Sequence, residues 1–140
     1  MSIKDFFKKY GKQTTTNFDL VKIAEIESIS PFYVAMRDEL KDLPNDNLIF
    51  VVTNIHTSKE RGVHWSCLAK TREGNFFFDS YGLPPTKEVK DFLKHATYNT
   101  FCIQKSGTSE CGQLCLFVLK ELKEGRDFMD IILSLKNNVS

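Results

Sequence analysis

Four residues of this 140-residue chain have the types and spacing for acyl transfer: His64, Asp79, Gln104 and Cys111. A thiol attacks as its thiolate, which needs a base, normally an imidazole. Cys111 opens an apolar-periodic stretch that runs to Leu122, and Ser109 is placed to cap it. Cys111 then falls in the first helical turn, where unpaired backbone N–H groups and the positive end of the dipole favour a thiolate. Gly112 costs that turn ~1 kcal/mol relative to alanine. A close backbone or ligand approach beside the sulfur would explain its missing side chain. Cys115, deeper on the stripe, reads as a small core hydrophobe.

Three imidazoles compete for the role of base. His95 ends a predicted surface helix, and His56 sits at the ragged end of a strand before Thr57-Ser58-Lys59-Glu60. His64 has the best geometry. If Lys70 pairs with Asn75 across a hairpin, Ser66 lies opposite Asp79, and His64 is a diagonal neighbour of Asp79 on the same face. That register sends Trp65, Cys67, Ala69, Phe76 and Phe78 to the other face, a coherent core. A surface His beside a surface Asp has the same spacing, so register alone leaves both readings open. A tetrahedral intermediate also needs preorganised donors for its oxyanion. The N–H of Cys111 is one candidate. The amide of Gln104, seven residues earlier across a short loop, is the other.

The elements that must position these groups follow from periodicity and turn residues. The first twelve residues, with four lysines and Phe6-Phe7, predict a basic amphipathic helix broken at Gly11 and Thr14-Thr15-Thr16. A second helix is predicted over about Phe18 to Ile26. Ser30-Pro31 predicts a third, running to about Lys41. Leu48 to Val52 reads as a buried central strand. Val63 to Lys70 and Asn75 to Asp79 flank Thr71-Arg72-Glu73-Gly74 as a hairpin. Thr86 to His95 is helical, and Tyr98 to Gln104 alternates as a further strand. A last helix after Gly125 carries Phe128, Met129, Ile132 and Leu133 on one stripe. The expected class is α+β: a central, mostly antiparallel sheet flanked by helices, in one domain spanning residues 1–140.

Composition excludes several classes. With 41% hydrophobic and 26% charged residues, disorder and low complexity are out. Nineteen basic against eighteen acidic residues leave a net charge of +1, so no global field advertises nucleic acid or membrane. No apolar run is long enough to span a bilayer, and no h-region follows the N-terminus. Four cysteines without a signal predict reduced thiols in an intracellular setting. The spacing Cys111-x-x-x-Cys115 lacks a second ligand pair, so no metal is expected. No Gly-rich phosphate loop occurs either.

Gly62-Val63-His64-Trp65, then Phe78-Asp79-Ser80-Tyr81-Gly82, then Gln104 with Cys111-Gly112 seven residues on, together resemble the adenovirus-type (adenain-like) cysteine proteases. These share a clan with the ubiquitin-like-modifier proteases. Met36-Arg37-Asp38-Glu39-Leu40, with Leu43-Pro44 after it, looks like a segment of the virophage and Polinton/Maverick members. The resemblance covers about Phe18 to Leu122. It implies a papain-related active site in permuted order: His64 as base, Asp79 as its orienting carboxylate, Gln104 as oxyanion donor and Cys111 as nucleophile. Trp65 would pack near the His–Asp pair.

The implied work is maturation of capsid and core precursor proteins at Gly-containing sites, inside the infected cell and in the virion. Adenovirus enzymes are strongly basic and use DNA and a disulfide-linked peptide as cofactors. This chain is near neutral and runs about thirty residues past Cys111, so the expectation is that neither activator is required. Lys4, Lys8, Lys9 and Lys12 read as a solvated helix face, with weak DNA contact as the other reading. Glu110 precedes the cysteine where modifier proteases often carry an acid, which makes a deubiquitinase or SUMO-type isopeptidase the alternative. A catalytically silent virion or DNA-binding protein of the same fold is the second alternative.

Overall fold

The structure, a computed structural model, describes residues 1–60 and 64–138. Gly62 and Val63 of the motif above lie outside the described residues. Five strands form one mixed sheet in the order β1-β2-β3-β4-β5. These are β1 (Phe32–Met36), β2 (Ile49–Asn54), β3 (Trp65–Thr71), β4 (Gly74–Phe78) and β5 (Thr97–Tyr98). The β2–β3 and β3–β4 ladders are antiparallel, while both edge strands pair parallel. With helices packed on the sheet, the α+β class is as expected.

Every residue of β2 is buried, because its alternate side chains enter two different layers. Phe50 and Val52 join the layer of α1 (Ile3–Tyr10), α2 (Asn17–Ile26), α4 (Cys111–Lys123) and α5 (Phe128–Asn138). Ile49 and Val51 meet Leu40, Val89 and Leu93 on the other side, where α3 (Lys87–Leu93) packs. The β3–β4 hairpin has the expected register, with Lys70 opposite Asn75 and Cys67 opposite Phe78. Cys67, Ala69 and Phe78 therefore face α4, with Trp65 and Phe76 packed beside them.

α4 is the structural axis. Eleven of its thirteen residues are buried. Burial of each large apolar side chain contributes roughly 2 kcal/mol. Sliding this helix would expose several of them at once, so its first residue is fixed relative to the sheet. Both N-terminal helices start from reciprocal caps, Ser2 with Asp5 and Thr16 with Asp19. Glu27, just past α2, takes Lys120 of α4 at 2.8 Å and Lys9 of α1 at 3.0 Å, and so locks three helices together.

Three expectations are corrected. The helix predicted from Ser30 to Lys41 is instead β1 followed by a 3₁₀ helix, Arg37–Asp42. Phe32-Tyr33-Val34 is aromatic and β-branched, and pairing along β2 satisfies its backbone better than an isolated helix would. The strand predicted over Tyr98 to Gln104 shrinks to Thr97–Tyr98. Beyond it, the N–H groups of Ile103 and Gln104 bond the Ser80 carbonyl, at 2.7 and 2.9 Å, rather than a strand ladder. In α5 the buried stripe is Phe128, Ile131, Ile132 and Leu135, while Met129 and Leu133 are exposed.

Candidate active site

Cys111 is the first residue of α4, after Glu110 at the cap position. Ser109, expected to cap, does not: no side chain caps this helix. Its first-turn N–H groups are thus available to a ligand in front of the helix. The sulfur accepts from the Trp65 backbone N–H at 3.5 Å, and His64, the residue before Trp65, lines the same cleft as Cys111. Helix and hairpin, 46 residues apart in sequence, meet at this atom.

His64 stands just ahead of β3 and Asp79 just after β4. His64 Nε2 lies 2.7 Å from Asp79 Oδ1, and both side chains are almost fully buried. An ionised carboxylate only accepts, so Nε2 carries the proton and Nδ1 is the nitrogen that serves the thiol. The Ser66 hydroxyl donates to the same carboxylate oxygen at 2.6 Å. The backbone N–H groups of Tyr81 and Leu83 donate to the other, at 2.9 and 3.0 Å. Burial alone would raise the Asp79 pKa; the hydrogen bonds from His64 and Ser66 outweigh it and hold the carboxyl below its ordinary value. Burial also opposes charge on His64. The hydrogen bond to Asp79 and the nearby Cys111 sulfur prevail there and push its pKa up to about 9. Tyr81 stacks on the imidazole with ring centroids 4.7 Å apart, which leaves the ring little freedom to rotate away.

Asp79-Ser80-Tyr81-Gly82 is a tightly tied turn. Asn99 grips its first residue from both sides: its Oδ1 accepts from the Asp79 N–H at 3.1 Å, and its Nδ2 donates to the Asp79 carbonyl at 2.7 Å. Gly82 has φ +76°, and a Cβ there would stand 2.8 Å from the Phe101 backbone carbon, so only glycine fits. Gln104 is buried against this turn. Its Oε1 accepts from Ser80 Oγ at 2.6 Å, and its Nε2 donates to the Thr108 carbonyl at 2.9 Å. One amide hydrogen remains beyond that bond.

Gly112 is explained by the chain itself. A Cβ there would lie 2.0 Å from Thr15 Oγ1 and 3.1 Å from a Leu20 methyl. The close approach expected beside the sulfur is thus the segment before α2. That segment is held by Trp65 Nε1 donating to the Thr15 carbonyl at 3.1 Å and Gln113 Nε2 donating to the Gln13 carbonyl at 2.8 Å. Trp65 thereby straps the N-terminal segment to the hairpin.

His64, Trp65 and Cys111 line one cleft of about 640 Å³, together with Thr14 to Asn17 and Val34 to Met36. His56 and His95 do not line it. Among the described residues no three His, Cys, Asp or Glu side chains gather as a metal site. Cys115 is fully buried and bonded to the Trp65 carbonyl. The side chains that sequence reasoning passed over are Asn99, Ser66 and Tyr81. Ser66 carried a signal, a hydroxyl on the same strand face as His64; a lone Asn99 carried none.

The architecture is one that proteases use. The chain is similar to the selenomethionine form of the ASFV pS273R protease, with a TM-score of 0.57 and 17% identity over 89% of this chain and 66% of that one. A second structure of the ASFV pS273R protease matches with a TM-score of 0.49, at 17% identity, over 89% and 65%. This chain therefore spans just under two thirds of that protein's length, and the likeness is one of fold. No protein-family model and no curated protein matches the sequence. No helix among the described residues is long and apolar enough to cross a membrane.

Proposed function

We propose that this chain is a cysteine endopeptidase of the adenain-like kind, acting through Cys111, His64 and Asp79. The observation that carries the reading is the buried His64–Asp79 pair at 2.7 Å, with His64 and Cys111 lining one cleft where the Trp65 N–H meets the sulfur. In acylation the sulfur attacks the scissile carbonyl and a C–S bond forms. The imidazolium of His64 then gives its proton to the leaving amine as the C–N bond breaks. In deacylation neutral His64 takes a proton from water, which attacks the thioester and releases the acid and the free thiol. The Cys111 N–H and the remaining amide hydrogen of Gln104 receive the oxyanion. Asp79 holds the ring in one tautomer, and Trp65 and Gly112 support the nucleophile's surroundings. The chemistry requires no cofactor.

The motif set and the fold shared with a viral protease support maturation of capsid or core precursors after small residues, in the infected cell and the virion. Incubation of the protein and of Cys111→Ala with unfolded capsid precursors, with and without DNA, followed by mass mapping of new termini, tests this. New termini at Gly-containing sites with the parent alone are expected. Identical termini with Cys111→Ala would reject the reading, and cleavage only after ubiquitin-like C-termini would reassign the substrate.

A further inference from the structure

The open edge of β1 borders the cleft that holds Cys111. β1 ends the strand order, and Val34, Ala35 and Met36 line the cleft. The Phe50 N–H bonds the Pro31 carbonyl at 3.0 Å, which aims that carbonyl at β2. Backbone polar groups alternate sides along a strand, so those of Phe32, Val34 and Met36 face away from β2. The Met36 N–H confirms the alternation: it is capped by Glu39 Oε1 at 2.8 Å. Val34 is then left with an outward N–H and C=O at the cleft. The edge Phe32-Tyr33-Val34-Ala35-Met36 carries no charge and no proline, the usual protections of an unpaired edge.

Met36, Asn54 and Trp65 are lateral neighbours across three strands. A strand added outside β1 lies three strand spacings, ~14 Å, from Trp65, whose N–H touches the sulfur, and Val34 stands two residues, ~7 Å, along from Met36. At ~3.3 Å per extended residue, about five residues therefore separate the reacting carbonyl from the position that pairs with Val34.

We propose that an unfolded stretch of the substrate polypeptide adds to the sheet along β1, exchanging main-chain hydrogen bonds with Val34 about five residues from the scissile bond. The proposal rests on the peptidase reading and names how its substrate is held: by backbone, as an extended strand that pairs at Val34 because Glu39 already occupies the Met36 N–H at the end nearer Cys111. A folded loop could not present this row of groups.

A library of synthetic twelve-residue peptides with central glycines supplies a cleaved substrate, in which each amide is replaced in turn by an ester. Loss of one main-chain bond costs about tenfold in kcat/KM. The expected pattern is such a loss at the substituted position facing Val34, about five residues from the cut, with flanking positions unaffected. Val34→Pro should lose the same factor on long peptides and abolish the ester effect. Its melting temperature reports whether it folds, and the ester scan on the parent protein needs no variant. A flat ester profile overturns the docking and leaves the peptidase reading intact. Failure to cleave any peptide overturns the peptidase reading itself. Activity that falls with protein concentration, and is restored by Val34→Pro, would give the edge to a second copy and also overturn the proposal.

Discussion

Ser80 donates its hydroxyl to the side-chain carbonyl of Gln104 across 2.6 Å, so the turn that carries Asp79 also sets which end of that amide points where. With Oε1 on Ser80 and Nε2 on Thr108, the amide cannot flip without setting Oε1 against the Thr108 carbonyl, which cannot donate. As the proposed oxyanion donor, Gln104 should lose about 10²–10³ in kcat on substitution to Ala, the typical cost of such a donor, with KM little changed. Ser80→Ala keeps the donor and loses only its orientation, so a smaller fall, roughly tenfold in kcat, is expected. Steady-state kinetics on one cleaved peptide check both; a pure KM effect would remove Gln104 from the oxyanion role.

Asn99 is predicted to be a positioning residue. It touches no part of the cleft, yet it fixes the backbone that aims the Asp79 carboxylate. Asn99→Ala should cost ~2 kcal/mol of stability by leaving buried groups unpaired. A merely structural role would end there. Positioning predicts in addition that the His64 pKa falls from about 9 toward its ordinary 6.5, because its carboxylate partner moves. NMR titration of the His64 ring reads this directly, and an unmoved titration would confine Asn99 to stability.

Stability should depend on pH with two separable limbs. His64 has a raised folded pKa, so its contribution is complete below about 6.5 and is lost as pH climbs through about 9. Glu27 behaves oppositely. Burial alone would raise its pKa, but the bonds from Lys120, Tyr10 and Lys9 lower it to about 2. Its contribution is complete above the ordinary 4.5 and is lost as pH falls toward about 2. Denaturant melts from pH 2 to 10 should show a plateau between these limits. His64→Gln should flatten the alkaline limb and Glu27→Gln should blunt the acid one; limbs unchanged in both variants would contradict these pairings.

Gly112→Ala sets helix propensity against packing. Alanine favours the helix by ~1 kcal/mol, whereas overpacking against a fixed neighbour costs about 1–3 kcal/mol. The 2.0 Å approach to Thr15 decides for packing, so the variant should be destabilised. Combination with Thr15→Gly should recover part of the loss, a coupling that a thermodynamic cycle measures. Additive effects would mean that the two positions do not meet.

Much of the site was legible because it depends on local regularities. Hairpin register followed from one turn glycine and alternate faces, and that alone brought His64 beside Asp79. The apolar stripe from Cys111 located the buried helix. What escaped was non-local. Phe32 to Met36 became a strand only because β2 lies beside it. Asn99 became the partner of Asp79 through a fold-back 20 residues long. Gly112 announced a close approach, but only the folded chain shows that Thr15 makes it. Ser109 looked like a cap by type and position, yet the helix starts uncapped.

The most direct test is mass mapping of the protein after brief exposure to a substoichiometric peptide-based thiol electrophile. Cys102 is the exposed thiol and Cys111 is 8% exposed, so accessibility and activation point to different residues. The account predicts modification at Cys111, not Cys102, and its loss in His64→Ala. Modification confined to Cys102, or equal labelling of Cys111 without His64, would contradict it.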